Sequence, residues 1–391
     1  MKRLVALSLA GGALMLVVVV TALATASGST GSGAPGTGAI TNPPAALTTP
    51  PATKPKFITV RVWSGAYQKA FAKTAGAAFT KATGVQIHWD TTDEFVSYQK
   101  LDQEIRAGKR PDADASMQAQ QRAYLDAVRG LTLPISTVVA PNARKANAQV
   151  AAPEGTPAGA KAWAYMNPYT VTITFVVRKD KVNPSAVQKW SDLANPKFAH
   201  SIVFDQIYST TAFAMAKSLG IDPAKNAPAS LDPVWQKIKA LRPNLASLGS
   251  GADVTTALSN GNATIGVTCS CNVVAAINAG TPLTMVAPRD GGYEVADAYY
   301  IHKNIPAANY YYAELFANYL YADATQSFLA KDQALVPTVS TATVPAYMKA
   351  QPRVFPLTSA QVKAAKMVIA PIPVMARYDT PWQTAFEAAI K

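Results

Sequence analysis

The chain has 391 residues and a formal net charge of +13, with 36 Lys+Arg against 23 Asp+Glu. Hydrophobic residues make up 49% and charged residues 15%, which excludes an intrinsically disordered chain and leaves material for a sizeable core. The positive charge is scattered: no run of five Lys/Arg occurs, and the densest cluster, Arg178, Lys179 and Lys181, is broken by Asp180, so nucleic acid is not an expected partner.

Lys2 and Arg3 precede an uncharged stretch from Leu4 to Ala26, whose end, Ala24-Thr25-Ala26, fits the small-x-small pattern of a cleavage site. Residues 1–26 are therefore expected to be a signal peptide, and the run is also long enough to stay as a membrane anchor. Residues 27–56 are rich in Gly, Ser, Thr, Ala and Pro, without hydrophobic periodicity, and read as a flexible linker. Both readings place the rest of the chain outside the cytoplasm, in the periplasm or on the outer cell surface.

From Phe57 the pattern alternates strand and helix. Phe57 to Trp63 alternates and is β-branched, a strand, and Ser64-Gly65-Ala66 breaks it. Tyr67 to Thr83 carries apolar residues at helical spacing and ends at Gly84. A strand at Val85 to Trp89, a helix at Glu94 to Ala107, a strand at Ala113 to Ser116 and a helix at Gln120 to Val128 follow. Thr170 to Arg178 is a strong strand, and Ser201 to Phe204 another, with a helix running on to Leu219. Helices at Leu231 to Ala240 and Val254 to Ser259 precede a strand at Ala263 to Thr268 and a helix at Val273 to Ala279. Val295 to Ile301 is a strand, Ala307 to Tyr321 and Ala324 to Lys331 are helices, and an irregular stretch with Pro352, Pro356, Pro371 and Pro373 leads to a last helix at Trp382 to Ile390. Such alternation predicts an α/β chain with a mixed, mostly parallel sheet flanked by helices.

Ligands of open α/β sheets sit at the carboxyl ends of strands, where helix N-termini converge. That rule selects Trp63 and Ser64 to Tyr67, Thr91 to Glu94 with Asp93, Ser116 to Gln118, Asp205 to Thr210, and Thr268 to Asn272 with Cys269. Polar residues after strands are also ordinary helix caps, so the signal lies in their recurrence. Asp297 stands apart, since a carboxylate inside an apolar, aromatic strand must be paired or face a cleft, where it would meet a cationic group. Of Tyr299 and Tyr300, at most one can face that cleft, because adjacent strand residues point to opposite faces. Tyr310, Tyr311 and Tyr312 lie on a helix and are expected to pack.

Cys269 and Cys271 admit three readings: two small buried hydrophobic thiols, a strained or intermolecular disulfide, or part of a metal site. The only histidines, His88, His200 and His302, are far from them, and no metal or cofactor is expected. No HExxH, P-loop, CxxC pair or strand–GxGxxG–helix fingerprint occurs, so the chain is not expected to be an enzyme.

Several strings resemble the polyamine-binding branch of bacterial ABC-importer solute-binding proteins. They are Val62 to Ile87, Arg110 to Ser116, Asn167 to Val182, Gly261 to Pro306, and the helix pair at Tyr312 to Pro337. The resemblance implies a two-lobed type II periplasmic-binding fold joined by hinge strands, with residues 57–168 and 297–345 in one lobe and 169–296 and 346–391 in the other. It implies a small solute closed between the lobes and handed to permease subunits by a monomeric receptor. It places Tyr67 near a ligand-lining aromatic, Gln118 in the pocket wall, and Asp297 at the acidic residue that holds an amino group. It also exposes departures: Cys269 and Val295 stand where polyamine binders carry tryptophans, and the second carboxylate expected near Thr210 is missing, leaving Asp205 or Asp93 to replace it. A polar, amine-containing solute, polyamine- or opine-like, is the resulting expectation. A surface sensor or adhesion protein and a secreted enzyme using Asp205 with Asp297 are the alternatives.

Overall fold

The computed structural model describes residues 45–92, 94–147, 151–157, 159–223, 225, 231–369 and 371–391. The expected signal segment 1–26, most of the linker 27–56, and Asp93 lie outside the described residues. No helix among the described residues is long and apolar enough to cross a membrane.

The first strand, β1 (Phe57–Val62), buries Ile58, Val60 and Val62 on one face. Helices α1 (Ala66–Phe71) and α2 (Ala77–Thr83) are joined by a π-helical turn over Ala72–Gly76, where one continuous helix was expected. Gly76 sits in that turn because Trp89 packs against its Cα: an added Cβ would lie 2.8 Å from Cζ2 of the indole. Gly84 adopts φ 75° and ends α2, a conformation that costs glycine nothing. β2 (Gln86–Asp90) pairs parallel with β1, and α3 (Glu94–Arg106) leads to β3 (Ala115–Ala119), parallel with β1 on its other side. Arg61, 4% exposed on β1, is neutralised by Asp90 on β2 through a 2.6 Å ion pair. α4 (Gln120–Val128) follows.

The long strand β4 (Met166–Arg178) is buried along nearly its whole length. β5 (Ile202–Asp205), α5 (Tyr208–Ser218), α6 (Asp232–Lys239), β6 (Leu245–Gly249), α7 (Gly251–Asn260), β7 (Ile265–Cys269), α8 (Ser270–Asn278) and β8 (Leu283–Val286) come next. β9 (Tyr293–His302), α9 (Ala307–Leu320), α10 (Asp323–Gln333) and the C-terminal α11 (Ile372–Ile390) complete the frame. The strand order is β2-β1-β3-β9-β4-β7-β5-β6, with β8 beside β4. Pairs within either end of this sheet are parallel, whereas β9 and β4 run antiparallel to their neighbours in the middle.

Several apolar cores form on this sheet, and the two largest meet at its middle. One gathers Ile58, Val60, Met117, Tyr169, Val171, Tyr299 and Phe316. The other gathers Ile173, Phe175, Phe204, Phe213, Tyr293 and Trp382. β4 passes from the first to the second between Val171 and Ile173, and β9 passes back between Tyr293 and Tyr299. Ile173 is the pivot, in register with Tyr293 on one side and Cys269 on the other.

Two expectations change. The last helix begins at Ile372, ten residues before the expected start at Trp382, because Pro373 lies in the first turn, where proline costs nothing. Pro381 lies inside that helix. β6 and β8 were not anticipated: Leu245–Gly249 is a half-exposed edge strand, and Leu283–Val286 is a short run between prolines. Tyr299 and Tyr300 are both fully buried, so neither walls a cleft; their hydroxyls donate to the Ala313 carbonyl at 2.9 Å and to Gln118 Oε1 at 3.2 Å.

α11 ties the molecule together. Trp382 is fully buried against Phe213 and stacks on Tyr378, while Phe386 stacks on Tyr208 at 4.7 Å. Asp379 accepts from Ser209 Oγ at 2.6 Å and faces Arg122 of α4 at 3.9 Å. Trp382→Ala leaves a large cavity under α5, and a loss of about 3–5 kcal/mol is expected, read as an earlier midpoint in urea unfolding.

Candidate functional site

Asp297 lies on β9 where that strand leaves the first core, next to a register shift between Asp297 and Tyr299. Its carboxylate collects donors from three elements. Tyr169 Oη donates to Oδ2 at 2.8 Å, the Trp63 indole donates as well, and Tyr67 Oη approaches Oδ2 at 3.5 Å. Tyr67 and Tyr169 meet edge to face, with ring centroids 5.9 Å apart. Burial pushes the Asp297 carboxyl up to about 6, against the pull of the Trp63 and Tyr67 donors. Desolvation and the nearby Asp297 also raise the Tyr67 hydroxyl, which stays protonated as a donor.

Asp205 ends β5 and is 7% exposed. Oδ2 accepts from Thr268 Oγ1 at 2.6 Å and from Asn272 Nδ2 at 3.1 Å. Burial again dominates and lifts this carboxyl to about 6. Asn272 also donates to Thr268 Oγ1 at 2.7 Å. Its carboxamide fills the space beside Gly251, where a Cβ would collide with it.

Cys269 lies near both carboxylates. It packs against both cores, as does Val295, and it feels the negative charge of both Asp205 and Asp297. Both cysteines are free and half-buried. The cluster presents two carboxylates, hydroxyls and an amide, with an aromatic wall on one side. Such a set suits a small polar ligand bearing a cationic nitrogen, whose charge would repay the cost of two desolvated carboxylates.

The other expected residues are placed as follows. Ser64 is exposed on the turn before α1. Thr210 is 8% exposed in the first turn of α5. Gln118 is buried and turned toward Tyr300, on the face of β3 opposite the partner of Asp297, which is Ala119. Tyr169 was not anticipated. Its signal was available in the position of Asn167-Pro168-Tyr169 at the start of a strong strand, but its pairing with Asp297 depends on the antiparallel register of β4 and β9.

The matched family model, described as bacterial extracellular solute-binding protein, covers residues 74–356. The chain belongs to this family. The spermidine/putrescine-binding periplasmic protein of Salmonella typhimurium is 28% identical over 142 residues, 36% of this chain and 40% of the relative. The chain thus matches less than half the length of that curated relative. An ABC transporter substrate-binding protein from Bradyrhizobium japonicum has the same fold, with a TM-score of 0.69 at 17% identity, covering 86% of this chain and 100% of that one. The spermidine/putrescine ABC transporter substrate-binding protein of Streptococcus pneumoniae aligns with a TM-score of 0.66 at 17% identity, over 86% and 100% of the two chains.

The raised Asp297 carboxyl makes a test by linkage. Its folded value near 6 exceeds the unfolded value of about 3.9, so the folded state binds the extra proton between those values, and stability falls as pH rises from about 4 to 6. Asp297→Asn removes this penalty. Thermal unfolding should show the variant more stable than wild type at pH 7, by on the order of 2 kcal/mol, and equal to it near pH 3. A variant less stable at pH 7 would mean that the three donors outweigh desolvation.

Proposed function

We propose that the chain is the extracytoplasmic receptor of an ABC importer, which closes on a small polar solute carrying an amino group and hands it to the permease subunits. The observation that carries this reading is the Asp297 carboxylate, held by Trp63, Tyr67 and Tyr169 where two cores meet, with the buried Asp205 carboxylate nearby. Family membership and the likeness to spermidine/putrescine-binding relatives support the amine class. An amine's ammonium pairs with Asp297, and its apolar part lies along the Tyr67 and Tyr169 rings. Cys269 and Val295, in place of the tryptophans of polyamine binders, leave a shorter aromatic channel, which favours a solute smaller or more polar than spermidine.

The two cores correspond to lobes of 57–168 with 297–345 and of 169–296 with 346–391, and β4 and β9 act as the hinge. A solute held by both lobes shifts the open–closed equilibrium toward the closed form. The receptor works as a monomer, exported by residues 1–26, which are cleaved or kept as an anchor, and residues 27–56 space it from the membrane. The secreted-enzyme and sensor alternatives gain no support from the family.

Thermal unfolding against polyamines, amino acids, opines and organic anions tests this reading. A ligand at about 100 times its Kd adds roughly 2.7 kcal/mol. Stabilisation by an amine is expected to vanish in Asp297→Ala and to weaken below pH 6, by about tenfold in affinity per pH unit, as the carboxylate takes a proton. Stabilisation by anions alone would retain a receptor and discard the amine site.

A further inference from the structure

Cys269 closes β7 and Cys271 is the second residue of α8. Only Ser270 separates them in the chain, both side chains pack against the first core, and Cys271 raises the Cys269 thiol. Both are free and half-buried, at the point where Cys269 packs on both cores and Cys271 on the first. Tyr67 lies within electrostatic reach of Cys271, and Asp205 and Asp297 of Cys269. No group of three His, Cys, Asp or Glu able to hold a metal ion occurs among the described residues, so the pair lacks the further ligands a thiolate metal site needs.

The next residue in the chain is Asn272. Its Oδ1 lies 3.9 Å from Cys271 Sγ, and its Nδ2 is the shared donor to Asp205 and Thr268. Its backbone carbonyl accepts from Thr255 Oγ1 at 2.9 Å, which ties the first turn of α8 to α7. A bridge between residues two apart closes a small, strained ring, and that strain must be absorbed by the backbone around it. Here the compliant segment is the first turn of α8, which carries Asn272.

We propose that Cys269 and Cys271 form a redox-modifiable dithiol at the edge of the solute cleft, whose intramolecular disulfide repositions Asn272 and so resets the Asp205 side of the site. The oxidant is a low-molecular-weight disulfide. Cys271 Sγ, having lost its proton, attacks one oxidant sulfur, forms a mixed disulfide and releases the first small thiolate. Cys269 Sγ then loses its proton and attacks Cys271 Sγ, releasing the second. One protein S–S bond replaces two S–H bonds, the oxidant is reduced to two thiols, and those thiols take up the two protons. Cys271, together with burial, holds the Cys269 thiol up, which suits the later, resolving role.

The effect on solute affinity rests on the proposed function, but the thiol chemistry and the Asn272 shift are read without any solute. Full-length protein is reduced with dithiothreitol and equilibrated with reduced and oxidised glutathione. Mass spectrometry after alkylation then counts free thiols, and NMR follows the Asn272 side-chain amide and the Asp205 carboxyl. One intramolecular disulfide per chain is expected, and none in Cys269→Ser or Cys271→Ser. On oxidation the Asn272 amide resonances should move and Asp205 should titrate at higher pH, since its carboxylate loses a donor; dithiothreitol should reverse both. Where the reduced protein binds an amine, oxidation should change the affinity at least tenfold. Thiols that stay unreacted or stop at glutathione adducts would overturn the proposal, as would a disulfide that leaves Asn272 and Asp205 unmoved or an unchanged amine affinity. A reduced protein that binds no amine would sink the amine reading, while the thiol and NMR readouts still decide the dithiol.

Discussion

The structure depends on β4, a strand paired on both sides along much of its length and meeting both β9 and β7 at one residue. Ile173 of β4 pairs with Tyr293 of β9 and with Cys269 of β7, and the sheet passes through it from one core to the other. Backbone groups buried this deeply must be paired, so the register at Ile173 is not free to slip. Because side chains alternate, that register fixes which residues meet at the boundary. Tyr169 and Asp297 come face to face, and Val295 and Cys269 fall between the cores. The candidate site is a consequence of this crossing.

The site is built at a cost. Two carboxylates are held where burial pushes each up to about 6, and among the described residues neither forms an ion pair with a Lys or Arg. Asp297 is offset by neutral donors from aromatic side chains, and Asp205 by a hydroxyl and an amide. Neutral donors stabilise a carboxylate without cancelling its charge, so the field in the cleft stays negative. The contrast is Arg61, whose buried charge is matched directly by Asp90 and therefore serves the frame. A charge left uncompensated where two cores meet is what a cationic solute could complete.

The two cysteines belong to the same junction. Asn272 links them to Asp205 through one residue of chain and two hydrogen bonds, so any strain at the thiols falls on the Asp205 carboxylate. The proposed dithiol and the proposed solute site therefore share one segment, the first turn of α8.

Much of this was legible in the sequence. Strand and helix alternation, Gly84 closing a helix and the clash between Asp297 and its apolar surroundings are local signals, and local signals follow from side-chain period and backbone sterics. The resemblance to solute-binding proteins carried the chain order of both halves. What the sequence left undecided is what depends on pairing across long separations. It could not put Tyr169 on Asp297, turn Gln118 toward Tyr300, bury both Tyr299 and Tyr300, or bring Asp205 and Asp297 within electrostatic reach of Cys269. It also misjudged Pro371–Pro373 as a break, because proline's cost depends on whether its missing N–H would have had a partner, and in the first turn of α11 it would not. The sequence by itself determined most of the elements and the family. Tertiary structure alone decided the site, since register between β4, β7 and β9 selects which faces meet.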